Sequence, residues 1–399
     1  MALTITSEPI RTIDGVTSAA NASRSQIPFI LTTTQQAQLN FKIHITIMNT
    51  SGGFLITTVF KYSPKPDGTL FLDVGQILTE YLEKNGLLSV EFKLRFGEGW
   101  NGFLPTFSTS ANSYLAVYGQ KQIYSSGGAN LYNHVINSAA TVKGTALTKW
   151  AEPRIYSQFK RTIGLLNAVS TQADMTVKYL TINKVFISDA LTKSITGEPV
   201  GVLNFDLVDY SGAFPSNAAY VRAAFSGPGG QNLQNVDYKI YPSCSQPIFI
   251  EYLNSLGAYE QYIFNLKQEV QVASSTGIES SRAINQDYAT ANVTNIRVAN
   301  EWVQQLICQT DNLSNNDLLA INEIKRSTSV RVLLTRDGSR FVQVVATNNL
   351  SDIYSTDNAN NGFSLQLQMP NNFNVFEAIN YELTPSQSHQ NVSFTAAYN

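Results

Sequence analysis

The chain reads as a mainly β protein, built from two or three β-sandwich-like domains with a few short helices. Short runs of β-branched and aromatic residues recur throughout, punctuated by Gly, Pro, Asn and Ser, which is the pattern of strands and turns. At 399 residues the chain is longer than one hydrophobic core usually serves. Clear helical periodicity surfaces in just two places.

The first strand signal, Phe41 to Met48, alternates Phe41, Ile43, Ile45 and Ile47 with Lys42, His44, Thr46 and Met48, as a half-buried antiparallel strand does. A strand over 53–62, a turn at Pro64-Lys65-Pro66-Asp67-Gly68 and a short strand over 69–72 lead into a predicted helix at about 74–85. There Asp73 is the N-cap, Val74, Ile77, Leu78, Tyr81 and Leu82 form one apolar stripe, and Gly86 closes the C-terminus. Strands over 88–96 and 113–118 complete an N-terminal domain, 1–148. Between them, the run from Phe96 to Phe103 reads as a glycine-rich loop that presents Phe96, Trp100 and Phe103 as a contact surface.

A middle β-domain, 149–270, takes strands over 155–164, 175–182, 200–207 and 236–240. It ends in the hairpin IFIEYLNSLGAYEQYIF, Ile248 to Phe264, whose arms flank an Asn254-Ser255-Leu256-Gly257 turn. Each arm holds one acid, Glu251 and Glu260. Tyr252, Asn254, Gly257, Tyr259 and Phe264 are the expected structural or interface residues, with Asn254 and Gly257 supplying the turn's backbone geometry. The loop from Ser226 to Asn232 lacks the Lys-Ser or Lys-Thr of a phosphate-binding loop. The remaining domain, 271–399, opens with a polar stretch over 273–292 and a strand over 293–302. Its helix, at about 315–327, has Ser314 as N-cap with Asp317 three residues on and an apolar stripe of Leu318, Leu319, Ile321 and Ile324. Strands over 330–334, 341–346 and 363–369 follow, the first two joined by a turn at Thr335 to Ser339.

Charged residues make up 14% of the chain, against roughly 25% in an average soluble protein. With 21 Phe, 19 Tyr and 3 Trp, this is the composition of a buried interface core, and it points to a subunit of an assembly. Sugar-binding β-proteins share the bias. A net charge of -2 supplies no positive field, so neither nucleic acid nor anionic lipid is expected as a main partner. The start, MALTITSEPIRTIDG, shows no basic segment followed by an apolar one, and no apolar run reaches membrane-spanning length; a soluble chain without secretion signal or membrane insertion is expected. Cys244 and Cys308 read as two buried thiols.

No catalytic residue, metal or cofactor is assigned. His44, His134 and His389 are scattered and lack partners at ligand spacing, and Ser125-Ser126-Gly127-Gly128 is a loop, not a nucleophile elbow. A glycan hydrolase would need two convergent carboxylates, for which Asp206 with Asp209, or Glu98 near Trp100, are the candidates. Tyr252, Tyr259, Tyr262 and Phe264 could stack on sugar rings, as could Phe96, Trp100 and Phe103, but alternating aromatics in strands are more simply cross-strand packing pairs.

The order of these features resembles virion structural proteins of tailed phages and prophages of Bacteroidetes, including crAss-like phages. The resemblance is carried by PKPDGTLFLDVGQILTEYL (Pro64 to Leu82), by the Leu-Asn-x-x-Gly-aromatic turn within Tyr252 to Phe264, and by the helix before strands in Ser314 to Leu334. This chain has Tyr259 and Tyr262 where such proteins commonly carry tryptophan. The resemblance implies a non-enzymatic tail, baseplate or neck component, a ring, hub or adaptor subunit made in the bacterial cytoplasm and located in the virion. Its partners would be copies of itself and other tail or neck proteins. A carbohydrate-binding module or receptor-binding fibre domain, with a glycan as partner, is the alternative, and a tail-associated glycan hydrolase a further one.

Overall fold

The computed structural model describes residues 3–9, 20–101, 103–119, 135–136, 146–150, 153–156, 159–167, 174–194, 198, 201–207, 214–226, 235–241, 247–266, 268–274, 279–281, 295–297, 302–347 and 361–370. The protein is mainly β, with three short helices among the described residues.

In the first third, a three-stranded sheet in the order Thr4–Ser7, Pro28–Thr32, Thr69–Asp73 packs on a larger one. The larger sheet runs Ala20–Ala22, Tyr114–Val117, Ser89–Trp100, Lys42–Met48, Phe54–Tyr62, with Phe103–Thr109 also pairing to Ser89–Trp100. The predicted alternation holds in part: Ile43, Ile45 and Ile47 are fully buried, beside Phe92 and Leu94 of the neighbouring strand and against Phe29, Leu31 and Leu72 across the sandwich, but Thr46 and Met48, expected on the polar face, are buried as well. The helix is Gly75–Asn85, one residue later than predicted, with Gly86 left-handed at its end. Asp73 still serves its start, since one carboxylate oxygen accepts from the Gly75 and Ile27 amides, both at 2.9 Å.

The middle third pairs a three-stranded sheet (Val135–Ile136, Thr162–Asn167, Gly201–Asp206) with a five-stranded one (Arg154–Tyr156, Val236–Tyr241, Tyr220–Ser226, Asp174–Leu180, Phe186–Ser194). Ile163, Leu165, Met175, Val177, Val221 and Tyr238 fill the space between them. The strand expected over 155–164 is two strands, one in each sheet.

The hairpin is correctly placed in sequence, as Ile248–Leu253 and Tyr259–Phe264 in register from Ile248↔Phe264 to Leu253↔Tyr259. Its domain assignment is corrected: it does not close the middle unit but forms one end of a seven-stranded sheet, through Ile250↔Val332 and its neighbours on Val330–Leu333. The sheet continues through Phe341–Ala346, Asn361–Met369, Trp302–Leu313 and Gln268–Ser274, so a boundary at 270 falls within its last strand. The predicted C-terminal helix is two pieces, Asn315–Ile321 and Glu323–Arg326. Ser314 caps the first, its hydroxyl accepting from the Asp317 amide at 3.1 Å, and Leu318, Ile321 and Ile324 seal the sheet's core beside Leu365 and Val332. Leu319, read as part of that stripe, is exposed.

Replacing Ser314 with Ala removes a side-chain acceptor from the helix start and should cost about 1 kcal/mol, read as a lower urea midpoint at unchanged slope.

Candidate assembly surfaces and the buried hairpin joint

The hairpin is an internal joint built from polar side chains. Glu251, Asn254, Glu260 and Gln261 are all buried, so each must find partners inside the protein. Asn254 organises the turn through its amide: its Oδ1 accepts from the Leu256 and Ala258 amides at 3.0 and 3.1 Å. Its Nδ2 donates to the Leu147 carbonyl at 2.7 Å and to Glu260 at 3.0 Å. These bonds to the Leu256 and Ala258 amides fix the turn's backbone, as expected of a turn asparagine, and they do so through the side chain, since Asn254 itself is not left-handed. Gly257 meets the same expectation, at φ 91°, and a Cβ there would lie 2.5 Å from the Tyr118 carbonyl oxygen.

Three units converge on this turn. Leu256 and Ala258 pack with Leu115 and Val117 of the first sandwich and with Leu147 and Leu166 of the middle unit. Gly164 permits the approach, since a Cβ there would stand 2.2 Å from that of Ala258. The outer edge of Tyr259–Phe264 is covered by side chains, not by another strand. Arg161 donates to the Gln261 carbonyl, and the Gln261 side chain accepts from the Thr162 amide at 2.8 Å. From the third unit, Glu323 accepts from the Ser255 amide and from Lys149, both at 2.9 Å.

Tyr252 and Phe264 face the core of the seven-stranded sheet. The Tyr252 hydroxyl accepts from the Trp150 indole at 3.0 Å and donates to Glu260 at 3.3 Å. Tyr259 lies at the rim, its hydroxyl accepting from Arg331 at 2.9 Å. The two acids are engaged separately. Glu251 meets Lys160 at 3.2 Å and Arg331 at 3.3 Å, whereas Glu260 accepts from Thr148, Asn254 and Tyr252.

Burial raises the Glu260 carboxyl above its ordinary 4.5; the Arg161 charge and the hydrogen bonds of Thr148 and Asn254 oppose this without cancelling it. For Glu323 burial pushes the same way, but the Lys149 charge and the hydrogen bonds of Lys149 and Ser255 outweigh it and lower the carboxyl below 4.5. The two carboxylates therefore act oppositely on stability as pH changes.

The run 96–103 is corrected from a loop to strand and hairpin: Ser89–Trp100 turns at Asn101 and returns as Phe103–Thr109, with Trp100 opposite Phe103. Phe96 is buried in the first sandwich, not presented. Trp100 is half-buried between two rings, 4.5 Å from Phe103 and 6.2 Å from Phe41 by ring centroids, with near-parallel planes. Phe103 is 59% exposed, and beside it stand Leu104 at 88% and Leu39 at 70%; the Asn101 amide donates to the Leu39 carbonyl at 3.1 Å. A second apolar tip joins Asp174–Leu180 to Phe186–Ser194 and exposes Ile182, Val185 and Phe186. Its turn is set by the Thr181 amide on the Val185 carbonyl at 2.9 Å and the Lys184 amide on that of Thr181 at 2.9 Å.

Sequence reasoning missed Leu39, Leu104 and the whole second tip. The Asn101-Gly102 dipeptide was the signal for the first hairpin; residues 180–186 carry no comparable one. The strands at the sheet edges, Phe54–Tyr62 and Phe186–Ser194, are interrupted by register shifts that spoil continuous pairing with another chain.

Of the hydrolase candidates, Asp206 ends the strand Gly201–Asp206. Glu98 is buried and accepts from Thr33 at 2.5 Å, and Asp209 lies outside the described residues with Cys244, His134, His389, 125–128 and 227–232. His44 is half-buried, lowered by burial and then by Lys61, and Cys308 is a thiol raised by burial. Among the described residues no group of three or more His, Cys, Asp or Glu could hold a metal, and no helix is long and apolar enough to cross a membrane. No protein-family model matches the chain, and no curated protein matches it significantly.

Asn254→Ala should cost about 3 kcal/mol, because buried backbone groups lose their partners; chemical denaturation measures it. A folded carboxyl raised above its unfolded value contributes stability below that value and loses it as pH rises. The stability of Glu260→Gln relative to the parent should therefore increase between pH 4 and 7. Glu323→Gln should show the reverse trend, its deficit greatest near neutrality and shrinking as pH falls through the range of the lowered carboxyl.

Proposed function

We propose that the protein is a non-enzymatic structural subunit of a tailed-phage virion, a ring, hub or adaptor component of the tail that binds copies of itself and neighbouring tail proteins. The observation that carries the reading is the pair of ordered, solvent-facing apolar tips, Leu39 with Phe103 and Leu104, and Ile182 with Val185 and Phe186. Clusters of large apolar side chains in water mark association sites, and tips already fixed by hydrogen bonds lose little freedom on docking. The low charge content and the resemblance of Pro64 to Leu82 and Tyr252 to Phe264 to phage structural proteins support the same reading. Many such contacts around a ring add through multivalency.

Mass measurement on purified particles tests it: the protein should be present in stoichiometric copies, and its absence would refute the proposal. Leu104→Glu and Val185→Glu, both exposed in the free chain, should leave the unfolding midpoint nearly unchanged while reducing incorporation at least tenfold. Incorporation equal to the parent's would show that the tips are not contacts.

A further inference from the structure

The larger sheet of the first sandwich turns Ile43, Ile45, Leu94 and Phe96 to the core, so the residues between them share its outer face. Register there sets Lys93 opposite Met48, Arg95 opposite Thr46 and Gly97 opposite His44, with Lys61 across from His44 on the next strand. Arg95 is the centre of this face. Its guanidinium lies over the Phe107 ring, 4.3 Å from the centroid, and over the Phe54 ring at 5.4 Å. Gly97 makes room for the first of these, since a Cβ there would stand 3.1 Å from the Phe107 ring. The two rings hold the guanidinium, yet its N–H groups are not spent: among the described residues no ion pair engages Arg95, Lys93 or Lys61. Even the Thr46 hydroxyl, on the residue directly opposite Arg95, is buried without a partner.

Charge on the face is one-sided. Lys42, Lys61, Lys93 and Arg95 stand against Glu91, the acid that shares their alternation on Ser89–Trp100. His44, lowered by burial and then by Lys61, adds no charge near neutrality. A planar guanidinium favours paired contact with a carboxylate or phosphate. A nucleic-acid backbone draws on a long run of cations, whereas here a few cations surround the Phe54 ring, which is 52% exposed, in a chain of net charge -2. Lys93 and Arg95 are two residues apart on one strand, about 6.6 Å, and alternate carboxylates of an extended segment match that spacing. We propose that this face docks an extended acidic segment of a partner protein, with one carboxylate on Arg95, the next on Lys93 and an apolar side chain against Phe54. The surface shares no residue with the apolar tips, and the proposal stands independently of the virion reading.

Fluorescence anisotropy on the full-length chain tests this, with a labelled peptide carrying glutamate at alternate positions and one phenylalanine. Binding should saturate and weaken as sodium chloride is raised, and the same peptide with glutamine for glutamate should not bind. Arg95→Gln should weaken binding roughly tenfold or more. Lys93→Gln, which leaves both rings in place, should weaken it about threefold and decides the matter should Arg95→Gln not fold. No saturable binding, equal binding of the glutamine peptide, or unchanged affinity in the folded variants would overturn the proposal. Tighter binding of a labelled oligothymidine than of the acidic peptide would overturn it in favour of nucleic acid.

Discussion

Burying polar side chains on a central hairpin is the constraint around which this protein is arranged. Glu251, Asn254, Glu260 and Gln261 lie in the interior, where an unmet hydrogen bond costs about 1–3 kcal/mol. One unit alone does not supply their partners. Leu147, Thr148 and Thr162 come from the middle of the chain, Arg331 from the seven-stranded sheet, and Glu323 secures the turn from its short helix. Satisfying the hairpin thus requires that the units be docked, and docking is what makes the hairpin's burial tolerable.

Apolar packing alone would hold the units less specifically. Leu256 and Ala258 fill a small cluster that any well-shaped surface could meet, whereas the paired bonds between Gln261 and Thr162 fix one register and one orientation. Close approach adds to this selectivity: Gly164 against Ala258, and Gly257 against the Tyr118 carbonyl, leave no space for a methyl group. Tyr118 extends the joint outward, its hydroxyl donating to Glu83 of the first helix at 2.6 Å and bonding to Thr328 at 2.7 Å.

How much of this was legible in the sequence follows from the range of the interactions. The inward isoleucines of 41–48, the Ser314 cap and the two arms and turn of the hairpin rest on neighbours in sequence, and the structure has them; Thr46 and Met48 are buried against the expectation of a polar face. Strand Trp302–Leu313 was misplaced because its inward residues, Gln304, Leu306, Cys308 and Thr310, alternate polar with apolar and hide the period. Phe186–Ser194 was missed because an edge strand with Asp189 and Lys193 has little apolar face to show. The hairpin's aromatic residues were identified, but its partners were not, since Thr162 and Thr148 lie 99 and 112 positions away from Gln261 and Glu260. Asn254 was identified for its part in the turn, which its bonds to the Leu256 and Ala258 amides fill, but its contact with Leu147 leaves no local trace.

The assembly reading and the joint are linked physically. A subunit that transmits load between neighbours needs its own units locked, and the apolar tips at Phe103 and Val185 sit on two different units. Native-state hydrogen exchange tests the lock most directly. If the hairpin integrates the protein, amides of Ile248–Phe264 should exchange among the slowest, in the same global opening as the core strands Lys42–Met48, Asp174–Leu180 and Val330–Leu333. Exchange of the first sandwich or the middle sheets through separate, lower-energy openings while the hairpin stays protected would contradict the account.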